Sequence, residues 1–192
     1  MSRKVFIDCG SHHATSLKFF LENYSNAEEF ETHSFDVNSK FEKYFKNYLE
    51  TKPQKHFFYN LGVWVRDDDN VPCFVHDGQS STMHWNKSII GSNHELKIST
   101  INFSQWIEDT FNQDDHIVLK MDIEGSEYKV LPHLIKAGII KWIDRLYIEF
   151  HYGKPMASDT TLETHTDLWY DLIFTYGLEP YAWDASPDLR RV

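Results

Sequence analysis

Apolar and polar positions along this chain change period repeatedly, and each change marks an element boundary. Val5-Phe6-Ile7 is a continuous apolar run that breaks at Asp8-Cys9-Gly10-Ser11, after which Ala14, Leu17, Phe20 and Leu21 return at helical spacing. The pattern predicts a buried strand, a loop and a helix. It then repeats: residues 30–35 are strand-like, Asp36-Val37-Asn38 is a turn, and Ser39 with Glu42 has the spacing of a capping box opening a helix through Leu49. Phe57-Phe58-Tyr59 predicts a third strand, and residues 62–76 predict two more, separated by the charged turn 66–70.

Residues 78–93 are rich in Ser, Asn, Gly and His and have little period. They read as a long loop, and loops of that length in compact domains are often functional, so this segment is a candidate lid. A strand ending near Ile101, a helix over 102–111 and a strand over 116–121 follow. Next comes a helix from about Ser126, with Pro132 expected to kink it and Gly138 to stop it. A strand over 145–150, a helix over 162–176 and a strand over 178–183 complete the series, with an antiparallel partner strand expected near 189–192.

Strands and helices alternating in this way predict an α/β Rossmann-like fold: one mainly parallel central sheet, helices on both faces, and an antiparallel strand near the C-terminus. At 192 residues the expectation is one domain spanning 1–192. In such folds ligands bind beyond the carboxyl ends of the strands, so the residues just after strands are the informative ones.

Composition narrows the function. No apolar run approaches the ~20 residues of a membrane span, and the basic start Met1-Ser2-Arg3-Lys4 lacks a signal-peptide core. A soluble, cytoplasmic protein with no membrane partner is expected. Two cysteines, Cys9 and Cys73, are too few for a disulfide framework and read as packed thiols. A formal charge of −10 opposes long-range attraction to phosphate backbones, so nucleic acid is not the expected partner.

The first loop separates two cofactor classes. A dinucleotide site needs small residues so that backbone amides can approach a pyrophosphate, yet after Gly10 this loop offers Ser11, His12, His13 and Ala14 and no glycine before Gly62. S-adenosylmethionine carries no phosphate and needs only one close backbone approach, which Asp8-Cys9-Gly10 supplies. Asp36, at the end of the second strand, stands where nucleotide-binding α/β folds accept hydrogen bonds from ribose hydroxyls. It is equally natural as a helix-initiating residue.

The most specific stretch is Lys120-Met121-Asp122-Ile123-Glu124-Gly125-Ser126-Glu127. Its pattern Lys-x-Asp-x-Glu-Gly-x-Glu resembles the signature of the FkbM-type methyltransferases. Phe6-Ile7-Asp8-Cys9-Gly10, Ser34-Phe35-Asp36 and Tyr147-Ile148-Glu149-Phe150-His151 match that family's other blocks in order, and Asn60-Leu61-Gly62-Val63 and Ser80-Ser81-Thr82 also look like their counterparts. The chain departs from the family in having His12 and Ala14 where Asn and Gly are usual, and Asp36-Val37 where Glu-Pro is common. It also has Ile101-Asn102 where Leu-Asp is frequent, an exchange between two good helix-capping residues.

The resemblance implies an S-adenosylmethionine-dependent methyltransferase, with O-methylation of a sugar, glycan or other polyhydroxylated small molecule as the expected reaction. The cofactor contacts expected from the loops are Asp8, Gly10, Ser11, His12, Asp36, Val37, Gly62, Val63 and Asp122. Methyl transfer to oxygen needs an aligned acceptor and a way to weaken its proton. Asp122, Glu149 and His151 are the catalytic candidates, because Asp122 ends one strand and Glu149 and His151 lie two apart beside it. Either His151 or Asp122 serves as general base, or all three hold a divalent metal that acidifies the hydroxyl.

Lys120 has a structural reading, an ion pair with Asp122 or Glu149, while Glu124 and Glu127 would serve a helix N-terminus. His12, His13 and His84 are weaker catalytic candidates. Met83-His84-Trp85, Tyr152 and Trp183 could face an acceptor ring, with core packing as the alternative for the tryptophans. A rival to the enzyme reading is a catalytically degenerate fold that binds a protein partner through its acidic surface.

Overall fold

The computed structural model describes residues 2–50, 52, 54–76, 80–82, 94–153 and 159–183. Six strands form one parallel sheet: β1 (Lys4–Cys9), β2 (Phe30–Phe35), β3 (His56–Tyr59), β8 (His116–Met121), β9 (Ile143–Ile148) and β10 (Pro180–Ala182), in the order β10-β9-β8-β1-β2-β3. Strand order reverses between β1 and β8, both of which pair in parallel with Asp8 opposite Lys120. That reversal places the ligand cleft at the ends of β1 and β8.

β1 and β8 are buried on both faces, which is why they read as nearly continuous apolar runs rather than alternating ones. Alternate residues enter different cores. Val5, Ile7 and Cys9 pack with Phe103 and Ile107 of α3 (Phe103–Thr110), Val130, Leu131 and Leu134 of α4 (Glu127–Lys136), and Leu168 of α5 (Leu162–Tyr170). Phe6, Val118 and Tyr147 pack with Leu17 and Phe20 of α1 (Thr15–Asn23) and Phe45 of α2 (Glu42–Leu49). Helices therefore cover both faces, as expected.

A separate sheet holds four strands in the order β4-β7-β5-β6: β4 (Gly62–Trp64), β5 (Asp68–His76), β6 (Ser80–Thr82) and β7 (His94–Asn102). β5 pairs antiparallel with β6 and β7, while β4 and β7 are parallel. Ile98 and Thr100 of the neighbouring β7 put side-chain methyls 3.0 and 3.1 Å from where a Cβ on Gly62 would stand, so a larger residue there would press on its partner strand.

Several expectations change. Asn38, not Ser39, caps the segment after β2: its side chain accepts from the Lys40 amide and opens a 3-10 turn over Ser39–Phe41, so α2 starts only at Glu42. The turn expected at 66–70 is shorter, because β5 already begins at Asp68 and absorbs the irregularity as a register shift before Val71. Ser80–Thr82 is an edge strand rather than loop, and the rest of the candidate lid, including Met83, His84 and Trp85, lies outside the described residues. α4 continues through Pro132 and ends at Gly138, whose φ of 77° supplies the left-handed stop. The helix after Thr161 finishes as a π-turn over Asp171–Thr175. β10 is parallel to β9, and the antiparallel partner expected near 189–192 lies outside the described residues. No helix among the described residues is long and apolar enough to cross a membrane.

Candidate functional site

Two loops meet at the switch point. The first leaves β1 through Gly10, where φ is 78° and a Cβ would stand 1.8 Å from the Asp122 carbonyl oxygen. Only glycine fits there, and the neighbour that demands it is the second loop rather than a ligand. His12 and Ala14 also hold positive φ, 47° and 62°. The strain at His12 is offset by its amide donating to Asp36 Oδ2 at 2.8 Å and by its ring packing edge-on to Phe41, 4.6 Å between centroids.

Asp36 does two jobs at the end of β2. Oδ2 accepts from His12 and Oδ1 accepts from the Asn38 amide at 2.8 Å, which fixes the carboxylate at the cleft. Burial pushes its pKa up to about 6, with those amides pulling the other way.

Lys120 ties the loops together. It is 2% exposed, and its Nζ donates to the carbonyls of Gly10 at 2.8 Å and Cys9 at 3.3 Å. The same ammonium lies 3.4 Å from both Asp8 Oδ1 and Asp122 Oδ2. Burial would lower its pKa, but the charges of Asp8 and Asp122 outweigh that and raise it. The pairing with Asp122 was expected, and the pairing with Asp8 follows from their facing register on adjacent strands.

Beyond Asp122 the second loop turns through Glu124 at φ 53° and Gly125 at φ 97° into α4. Glu127, fully buried, accepts the amides of Ile123 at 2.8 Å and Gly125 at 2.9 Å, so its helix-terminal role holds. It also contacts His151 Nδ1 at 3.0 Å. His151 is 1% exposed, and its Nε2 faces Glu124 at 3.3 Å, Asp122 at 3.7 Å and Glu149 at 4.0 Å. Burial would lower the imidazole pKa, but hydrogen bonds and charges from Glu124 and Glu127 outweigh it and push it up to about 10. That shift favours the protonated ring, which donates to the surrounding carboxylates.

The cleft is walled by Gly10, His12, Asp36, Val37, Gly62, Val63 and Asp122, which are seven of the nine expected cofactor positions. Asp8 and Ser11 are not part of its wall. Asp8 is fully buried, accepting from Ser16 Oγ and pairing with Lys120, and Ser11 Oγ donates to the Phe35 carbonyl at 3.1 Å. They build the loop from behind.

Among the described residues, two polar atoms at the cleft, His12 Nε2 and Ser126 Oγ, are buried without a protein hydrogen-bond partner. Such atoms call for a ligand that supplies polar groups, which the amino-acid and nucleoside ends of S-adenosylmethionine do. Ser126 was not anticipated from sequence. Its place directly after the Glu-Gly turn was the available signal, since that turn aims the start of α4 at the cleft.

Asp122, Glu149 and His151 do converge, with one donor atom from each lying within 4.8 Å of the others. Trp183 lines the cleft and also packs edge-on against Tyr147, 5.7 Å between centroids, the packing weighed for it. Tyr152 stacks on His165 at 4.9 Å, and His13 packs against Phe41 and Tyr44.

Neither the curated proteins nor the solved structures gave a match. The family model for the methyltransferase FkbM domain matches residues 8–168, a span that contains both loops, Asp36, the Lys120 to Glu127 block and His151. The chain belongs to the FkbM methyltransferase family.

Proposed function

We propose that this protein transfers the methyl group of S-adenosylmethionine to a hydroxyl of a small polyhydroxylated acceptor such as a sugar or glycan. The observation that carries the reading is adjacency: Asp122 both lines the donor cleft and belongs to the Asp122, Glu149, His151 cluster. Donor and proton-handling groups thus share one residue.

S-adenosylmethionine supplies a methyl carbon already activated by a sulfonium, so the protein's share of the work is alignment and proton removal. Asp36 holds the ribose hydroxyls, while Gly62 and Val63 border the nucleoside. The cluster receives the acceptor. As its oxygen bonds to the methyl carbon the carbon–sulfur bond breaks, the sulfur becomes a neutral thioether, and the hydroxyl proton passes to a carboxylate of the cluster. The indole face of Trp183 suits a sugar ring, and the charge of −10 favours such an acceptor over nucleic acid.

Calorimetric titration with S-adenosylhomocysteine, run beside NAD, tests the donor assignment without an identified acceptor. Saturable binding of the nucleoside alone is expected. Absence of that binding overturns the reading in favour of a partner-binding fold, and equal binding of NAD overturns it in favour of a dinucleotide site.

A further inference from the structure

We infer that Asp122, Glu149 and His151 form a divalent-cation site beside the donor cleft, with Glu127 as the positioning residue that presents His151 to the ion. The catalytic use of such an ion rests on the methyl-transfer reading, whereas its binding does not.

The spacing suits an ion. Two ligands on opposite sides of a cation lie twice the metal–ligand distance apart, about 4.2 Å for the smaller divalent ions and about 4.8 Å for Ca²⁺. The three donor atoms here lie within 4.8 Å of one another, so they can close on one centre with little more than side-chain rotation.

A carboxylate cluster alone would prove little, but this one is built around a buried imidazole. Metal-bound histidines commonly give their second ring N–H to a carboxylate, which fixes tautomer and orientation. Glu127 meets that description: its Oε1 lies 3.0 Å from His151 Nδ1, and two backbone amides pin the same carboxylate. Nε2 is therefore the nitrogen turned toward Glu124, Asp122 and Glu149, at 3.3, 3.7 and 4.0 Å. One N–H can serve one of these acceptors at hydrogen-bond distance and leaves the other two beyond it. A cation in the same gap lies within reach of His151, Asp122 and Glu149 together. The mixed nitrogen and oxygen donors favour Mn²⁺ or a neighbouring first-row ion over an all-oxygen Ca²⁺ site.

The test is titration of Mn²⁺ into the full chain without nucleoside, followed by calorimetry and electron paramagnetic resonance. We expect one saturable site whose spectrum carries nitrogen hyperfine coupling, and loss of both in His151→Ala. Glu149 is 38% exposed, so Glu149→Gln tests ligation without threatening the fold, and at least tenfold weaker binding is expected. Glu127→Gln is expected to weaken Mn²⁺ by about 10- to 100-fold while S-adenosylhomocysteine binds as before, a split that a merely structural role would not produce. No saturable Mn²⁺ site in the wild type, or binding undiminished in both His151→Ala and Glu149→Gln, overturns the inference. Failure of S-adenosylhomocysteine alone overturns the methyl-transfer reading and leaves the cation site standing.

Discussion

The loops after β1 and β8 leave adjacent parallel strands at the same level of the sheet, and both hold residues at positive φ and a carboxylate that takes two amides, yet what surrounds that carboxylate differs. The first is held by the Asp36 carboxylate, which takes the His12 and Asn38 amides, and by aromatic packing of the His12 ring on Phe41. The second is held by a buried carboxylate, Glu127, which takes two amides and an imidazole. A wall of amides and rings suits a bound nucleoside that must not react with it. A wall of buried charge suits the place where a proton or cation changes hands. Lys120 belongs to both.

Removing that shared residue has the largest expected effect. Lys120→Met leaves Asp8 and Asp122 facing each other without a buried counter-charge, and a stability loss of about 3–5 kcal/mol is expected in chemical denaturation. His151→Ala tests the separation of the two loops directly. A fall in kcat of about 100-fold is expected with S-adenosylhomocysteine affinity nearly unchanged, and an equal loss of affinity would break the division of labour drawn here.

Asp36→Ala is the mirror experiment, expected to weaken nucleoside binding by about 30- to 150-fold, the equivalent of roughly 2–3 kcal/mol. The same residue sets a pH dependence. Burial pushes Asp36 up to about 6, so affinity should decline as pH falls through that value and the carboxylate takes up a proton. Asp36→Asn should flatten the profile. The linked stability runs the other way: a carboxyl with a raised folded-state pKa favours the protonated fold, so its contribution is lost as pH rises from about 4 to 6.

Ala14→Gly should have the smallest effect. Relief of the left-handed strain at φ 62° is offset by loss of a buried methyl and by glycine's greater unfolded freedom, so a change within about 0.5 kcal/mol is expected by thermal denaturation.

The elements that were legible are those whose burial is uniform. β1 and β8 read directly as strands because both faces are covered, and Asp36 and Asp122 were found by standing at strand ends. What stayed hidden depends on contacts between distant segments. Nothing local tells that Lys120 faces Asp8 across the sheet, that Ser11 turns inward to Phe35, or that Glu127 lies beneath His151, 24 residues away. Ser39 and Glu42 have a capping spacing, but Asn38 captures the Lys40 amide first, a local competition that spacing alone does not resolve. Glu124 and Glu127 were readable as helix-terminal acids. Their second role as neighbours of one imidazole needed the return of the chain from β9.

The missing side chain at Gly10 has a consequence for how the protein could change its acceptor. Because the Asp122 carbonyl occupies the space a Cβ would need, and the Asp122 amide donates to the Cys9 carbonyl at 3.1 Å, the two loops are held in direct contact. Drift in either loop would be transmitted to the other within a few ångströms. Under the proposed methyl transfer, a change of acceptor is therefore most readily made away from this contact, at exposed Tyr152, which lies outside the cleft wall.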